Sequence, residues 1–298
     1  MTEALFPEDR IRLSVIMAVL DAADTIGVQL EALARQSWAE AWELIVVDNG
    51  CSDDSMRIVE QYRDRIPGLR MIRATEQRSA AHARNAGVSA ARGGYLAFCD
   101  ADDEVAHDWL EKIGAAVEQH QFVASRMDAA RLSSPRGLAA RGNVLQKDGL
   151  IPYRYVPFLP FAGTSGLAIQ RELHEQVSGF DESLRFLEDC DYCWRVQLAG
   201  TPLVFVPEAV VHIRHRDNPY ESFRQARNWG EYNVLLLKRY RVHGIPSPDW
   251  RKGLRLWWGL FRKLPTLRKQ AGRDRFLWSL GYRIGHLRGS IRQRTFAP

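Results

Sequence analysis

Three things are scarce in this chain of 298 residues: cysteines, long apolar runs and, over its last stretch, acidic side chains. The four cysteines, Cys51, Cys99, Cys190 and Cys193, are too few for a disulfide framework, and a reducing compartment would leave them as thiols. "CDYC" has metal-ligand spacing, but a zinc site needs further ligands, and Cys51 and Cys99 are singletons. Small packing residues on a helix are the better reading. No uninterrupted apolar run reaches the length of a membrane span. The opening "MTEALFPEDRIR" is acidic and mixed where a signal peptide is basic and then apolar, so a cytoplasmic location is expected. Neither an internal repeat nor a low-complexity segment is present.

What is there suits a globular protein. With 46% hydrophobic and 26% charged residues, the chain can build the core of one large domain or two smaller ones. The formal net charge of +5 hides an asymmetry: residues 251–298 contain 13 Lys and Arg against the single acid Asp274, so the body is net acidic and the tail strongly basic.

From Leu13 onward short apolar runs alternate with helical patterns. "LSVIMAVL", "WELIVVD", "LRMIRAT" and "YLAFCD" read as strands, and "DTIGVQLEALARQ", "SDDSMRIVEQYRDR", "SAAHARNAGVSAAR" and "DWLEKIGAAVEQ" as helices. This alternation predicts an α/β fold with a Rossmann-like, mostly parallel sheet covered by helices on both faces. After Gln121 the pattern breaks into a Pro-, Gly- and Arg-rich stretch, read as a boundary and a long surface excursion over residues 125–161. Order returns with "TSGLAIQREL", the helix "EDCDYCWRVQLAG", the strand "PLVFVPEAVVHIRHR", a helical section over residues 220–243 and the basic tail. The domains expected are 1–219, in halves of about 12–121 and 122–219, followed by a helical, basic extension over 220–298.

Asp21, Asp48 and Asp100 each fall at the carboxyl end of a predicted strand, where open α/β sheets bind ligands. Asp21 and Asp24 would also serve as caps of the next helix. "AFCDADDEV" then places Asp100, Asp102 and Asp103 within four positions, and such a cluster becomes stable around a divalent cation that prefers oxygen ligands. An EF-hand loop starting at Asp100 is excluded, since its sixth position needs Gly and holds Val105, and a strand enters it. The remaining reading is a D-x-D site, Asp100-Ala101-Asp102, whose cation holds a diphosphate beside carboxylates that would otherwise repel it. D-x-D alone is weak evidence, and Asp189-Cys190-Asp191 is a second instance.

"LSVIMAV", "ELIVVDNGCSDD", "ARNAGVSAARGGYLAFCDADDE" and "VSGFDESLRFLEDCDYCWR", in this order, resemble the inverting family 2 glycosyltransferases of GT-A fold, over about residues 12–214. The resemblance implies a nucleotide-sugar donor (UDP-, dTDP- or GDP-linked), a divalent cation (Mn²⁺ or Mg²⁺), and direct displacement by a hydroxyl of a glycan or lipid-linked acceptor. Carried over by position, Asp48, Val19, Arg84 and Asp100 bind the nucleotide, Arg84 facing the base or the phosphates. Asp102 and Asp100 hold the metal with Asp103 as an accessory, and His212 or His215 supplies a further ligand. Asp189 is the catalytic base, with Glu188 beside it. The chain departs from the family in having Ala18, Leu20 and Asp21 where relatives show Pro, an aromatic and Asn, and Cys51 where Ser is usual. Without that aromatic, the stacking contact to the base that the resemblance would imply is missing.

A non-catalytic nucleotide-sugar and metal binding protein is the alternative, with "EDCD" as merely the acidic start of a helix. A nucleotidyltransferase would need a Gly-rich, basic loop after the first strand, which "AVLDAADTIG" lacks, and no nucleic-acid partner is expected. In the tail, basic residues interleave with Trp257, Trp258, Leu260, Phe261, Phe276 and Trp278. Two readings stand for it: peripheral attachment to the inner, anionic face of the cell membrane, or packing on the protein with solvated arginines.

Overall fold

A computed structural model describes residues 11–66, 68–153, 158–246 and 249–297. The acidic first ten residues and positions 154–157 of the expected excursion lie outside the described residues. The elements in order are β1 (Leu13–Val19), α1 (Ile26–Ala34), β2 (Trp42–Asp48), α2 (Ser55–Glu60), β3 (Arg70–Arg73), α3 (Ala80–Ala90), β4 (Tyr95–Asp100) and β5 (Glu104–Val105). They continue as α4 (Trp109–His120), β6 (Phe122–Asp128), α5 (Pro135–Arg141), β7 (Leu167–Gln170), α6 (Arg171–Gln176), α7 (Glu188–Leu198) and β8 (Val204–His212). Three further helices follow: α8 (Pro219–Arg239), α9 (Trp250–Phe261) and α10 (Gln270–Gln293).

The strands form one sheet in the order β3-β2-β1-β4-β7-β6-β8-β5. The β3, β2, β1 and β4 run is parallel throughout, β7 is antiparallel to both its neighbours, β8 is again parallel to β6, and β5 closes the edge antiparallel to β8. Parallel strands buried on both faces read as unbroken apolar runs, which is why β1 and β2 were visible in sequence. Leu13, Val15, Met17 and Val19 of β1 share a core with Ile26, Leu30 and Leu33 of α1 and with Trp109 and Ile113 of α4. The opposite face takes α3 at very short range: a Cβ added at Gly87 would lie 2.5 Å from Ile16 Cγ2.

The pattern break after Gln121 is not where the sheet ends. Residues 122–128 form β6, paired with β7 and β8 well inside it. Polar residues obscured this strand in sequence. Ser125 is fully buried and accepts from Trp109 Nε1 at 2.9 Å, and Arg126 turns its guanidinium onto the Lys147 carbonyl.

The chain groups into two compact units. The first runs to Asp128 and takes in Leu145–Leu150 and Ala162–Ile213; the second comprises Ala129–Val144, 151–161 and everything from Arg214. Much of the expected excursion therefore folds with the C-terminal helices. Within that second unit α8 and α10 pack backbone to backbone. Gly281, Gly285 and Gly289, four apart on α10, leave so little room that an added Cβ would fall 2.6, 2.0 and 2.7 Å from the carbonyls of Phe223, Arg227 and Glu231. Arg136 pairs with Asp274 at 2.9 Å and Arg141 stacks 3.6 Å from the Trp278 ring, tying α5 to α10.

Candidate active site

The parallel strands end on one rim of the first unit. Their register places Val19 opposite Asp48 and Ala18 opposite Asp100, so the ends of β2, β1 and β4 lie side by side. Beyond β4 the chain turns sharply, with Asp103 N–H donating to the Asp100 carbonyl. The carboxylates of Asp100, Asp102 and Asp103 point together, one oxygen of each lying within 4.8 Å of the others. Asp102 is exposed and Asp103 buried. One buried side chain holds this turn at both ends: Gln29 of α1 donates to the Asp100 carbonyl at 3.0 Å and accepts from Val105 N–H at 2.9 Å. Ser165 Oγ accepts the Asp100 N–H at 3.2 Å. Three converging hard oxygen donors on a rigid turn fit a divalent cation of the Mg²⁺ or Mn²⁺ kind.

Arg84 connects this cluster to the start of α7. Its guanidinium is 94% buried and donates to Asp100 Oδ1 at 2.8 Å and Glu188 Oε1 at 2.9 Å, while lying over the Phe180 ring. Burial works against its charge, but the two carboxylates outweigh it and hold the proton more firmly than usual. Because Arg84 lies on the buried face of α3 beside Gly87, it is no surface arginine.

The approach of α7 is fixed by a tether that sequence reasoning missed. Asn85 accepts from Phe180 N–H and donates to the Phe180 carbonyl and to Glu182, and His82 Nδ1 lies 2.8 Å from Glu182. Gly179 has φ +65 where a Cβ would stand 2.7 Å from Asn85 Oδ1, so only glycine suits that turn. Leu187 then takes a left-handed conformation, φ 60, immediately before α7. Glu188, Asp189 and Asp191 all occupy the first turn, where the helix dipole favours acids.

These three acids have different neighbours. Glu188 faces Arg84, and Asp191 is fully buried against Arg195 at 2.7 Å, so the second D-x-D is split between a site residue and a packing ion pair. Asp189 is partly buried and accepts from Cys190 N–H at 2.7 Å. Burial, together with the charge of Glu188, pushes its carboxyl up to about 7, against weaker pulls from that N–H and Arg84. A carboxyl so placed can exchange a proton near neutral pH.

Asp48, at the other side of the rim, accepts from the N–H groups of Gly50 and Cys51 at 2.9 and 2.8 Å. Partial burial would raise this carboxyl, but those N–H groups, the Cys51 side chain and the more distant Arg73 together hold it below its usual value. The Val19 carbonyl accepts the Asn49 N–H, fixing the same corner. His212 ends β8 directly opposite Glu104, the residue that follows the acidic turn, but is not among the ligand atoms that converge within 4.8 Å. His215 belongs to the second unit, where its Nε2 lies 3.0 Å from the Gly142 carbonyl. Cys190 and Cys193 are buried free thiols.

Comparison with known proteins gives the family and the fold that carry this rim. The sequence model of the family described as Glycosyl transferase family 2 matches residues 14–167, and that of Glycosyl transferase family group 2 matches residues 95–280. Glycosyltransferase AglE of Haloferax volcanii is 26% identical over 230 residues, which cover 77% of this chain and 71% of AglE. The uncharacterized glycosyltransferase YibD of Escherichia coli is 38% identical over 94 residues, 32% of this chain and only 27% of YibD. Among solved structures, S. aureus TarS 1-349 in complex with UDP has a TM-score of 0.55 at 18% identity, covering 97% of this chain and 93% of that one. The mannosyltransferase PcManGT from Pyrobaculum calidifontis, in complex with GDP-Man and Mn²⁺, has a TM-score of 0.61 at 17% identity, covering 97% and 79%. The structural likeness gives the GT-A type fold, and the family model, matching more than half of the residues, gives the membership: this chain belongs to glycosyl transferase family 2.

Proposed function

We propose that the chain transfers a glycosyl group from a nucleoside-diphosphate sugar to an acceptor hydroxyl with inversion at the anomeric carbon. The observation that carries this reading is the junction at Arg84, whose guanidinium bonds Asp100 of the Asp100-Asp102-Asp103 trio with one arm and Glu188, next to Asp189, with the other. Asp48 stands two strand spacings from Asp100, roughly 10 Å. That is a suitable span for a nucleoside whose base meets Asp48 and whose diphosphate meets the trio. The Asp48 carboxylate accepts an N–H of the base, as uracil, thymine and guanine each offer, and the backbone at Val19 lines the same corner. Leu20, exposed where relatives carry an aromatic, weakens stacking as the means of base selection.

Asp100 and Asp102 would hold the cation, with Asp103 behind them. Bound there, it supplies charge neutralisation for the departing diphosphate. Asp189 takes the proton of the acceptor hydroxyl while the new O–C bond forms on the face opposite the leaving group. The C–O bond to phosphate breaks with its electron pair, and the nucleoside diphosphate leaves. One displacement inverts the anomeric centre. Arg84 engages Glu188 at 2.9 Å, leaving Asp189 as the carboxylate for the proton transfer.

Support for the ligand class comes from the structural neighbours, bound to UDP, to UDP-GlcNAc and to GDP-Man with Mn²⁺. A growing glycan or a lipid-linked sugar is the acceptor class, in keeping with relatives assigned to teichuronic acid and amylovoran biosynthesis. The direct test is hydrolysis and transfer screened across UDP-, dTDP- and GDP-sugars with Mn²⁺ or Mg²⁺. Metal-dependent consumption of one nucleotide class is expected. Tight binding without consumption of any donor, with acceptor glycans supplied, would instead assign a binding role.

A further inference from the structure

The structure divides the basic tail into two parts with opposite character. The glycine face of α10 is occupied by α8, and Trp278 is partly buried between Arg141 and Trp229. In contrast, α9 buries one edge among its described residues, at Gly253 and Leu260. Trp250, Leu254, Trp258 and Phe261 recur at spacings of four, four and three, so they share one side of the helix, and they are 53%, 59%, 66% and 60% exposed. Leu264, just beyond the helix, extends the row. Soluble surfaces rarely leave so many large apolar side chains contiguous.

We propose that this outer face of α9 docks on an anionic lipid bilayer, a property independent of the transferase reading. Charge complementarity selects that occupant. Arg251, Arg255 and Arg262 lie along the helix beside the apolar row, all exposed, and Arg268 and Lys269 follow. Across this stretch the nearest acids are Asp249 at the N-cap and Asp274 in α10. A second copy meeting this face would bring the same arginines together, and a nucleic acid would leave the Trp, Leu and Phe side chains in water. A membrane interface satisfies both chemistries, accepting the apolar row among acyl chains and the arginines among headgroup phosphates. The helix has 12 residues and is about 18 Å long, so it lies in the surface plane and does not cross. Among the described residues no helix is long and apolar enough to span a bilayer.

The test is flotation of the full chain with vesicles of phosphatidylcholine alone and of phosphatidylcholine mixed with phosphatidylglycerol, at low and high salt. Flotation with the anionic vesicles only, weakened by salt, is expected. Trp258→Ala/Phe261→Ala, at exposed positions, should lower partitioning by about tenfold or more, and Arg251→Glu/Arg255→Glu by at least as much. Nucleotide binding should stay unchanged, which reports that the variants fold. The proposal is overturned if the wild type stays at the bottom at low salt, if it floats equally on neutral vesicles, or if the apolar double variant floats like the wild type. A vesicle-independent dimer that this variant abolishes would instead assign the face to self-association.

Discussion

Replacing Asp189 by Asn should move activity and stability in opposite directions, an outcome that a merely structural carboxylate would not give. Folding raises this carboxyl from 3.8 to about 7. The native state therefore holds the proton more tightly than the unfolded chain, and stability falls as pH rises from about 4 to about 7. At ~1.4 kcal/mol per pH unit the shift sets a ceiling of ~4 kcal/mol on the cost of ionised Asp189 above neutrality. Asp189 is only partly buried, which reduces the effect to about 1–2 kcal/mol. Asn keeps the shape, and its carbonyl can still accept the Cys190 N–H. In urea unfolding, Asp189→Asn should match the wild type near pH 4 and exceed it by that amount at pH 8. Glycosyl transfer should fall by ~10²–10⁴, the usual range for a lost general base. The wild-type kcat/KM should rise with pH through about 7, because only the ionised form accepts the proton. Glu188→Gln should do the reverse on stability. It weakens a 2.9 Å charge-assisted bond to buried Arg84 and should destabilise the first unit by about 1–3 kcal/mol. It also removes a charge that raises Asp189, so the acid limb of the rate profile should move to lower pH. An Asp189→Asn protein that is less stable at pH 8, or that turns over normally, would refute the argument.

Asp102 is exposed on the rim, so Asp102→Ala should leave thermal unfolding within about 0.5 kcal/mol of wild type while Mn²⁺-dependent nucleotide binding is lost; unchanged affinity with and without chelator counts against the metal assignment. Asp48→Ala should weaken nucleotide binding by about 1–3 kcal/mol and leave pyrophosphate binding alone. An equal loss for both ligands would mean that the turn at Gly50 and Cys51 has collapsed and that no base contact was tested.

The fold was legible where burial is periodic and local. The strands β1, β2 and β4 announce themselves because both faces are covered, and α1 and α4 because each buries one stripe. Strand β6 hid behind Ser125 and Arg126, whose polar groups are satisfied by Trp109 and by the Lys147 carbonyl, partners no local pattern reveals. The role of Gln29 escaped for the same reason, though a glutamine on the apolar stripe of α1 was a signal that it had something to hold. The glycines at 281, 285 and 289 carried another signal, since a four-residue repeat of the smallest side chain on a helix marks close backbone packing.

Arg84 shows where the limit lies. The resemblance gave it to the nucleotide site, facing base or phosphates, yet α3 could have said more on its own terms. Ala81, Ala83, Gly87 and Val88 show that this helix presses a small-residue face onto the core, and Arg84 shares that burial. A guanidinium there is tolerable only if carboxylates meet it. Asp100, sixteen residues along the chain, was within sight of that argument; Glu188, 104 residues away, was not, since its position depends on the Asn85–Phe180 tether and the left-handed Leu187. The pairing also has a chemical consequence. Asp100 belongs to both the trio and the Arg84 bridge, and the charges of Glu188, Arg84 and Asp100 all act on the proton of Asp189, so one electrostatic network joins the two acidic groups.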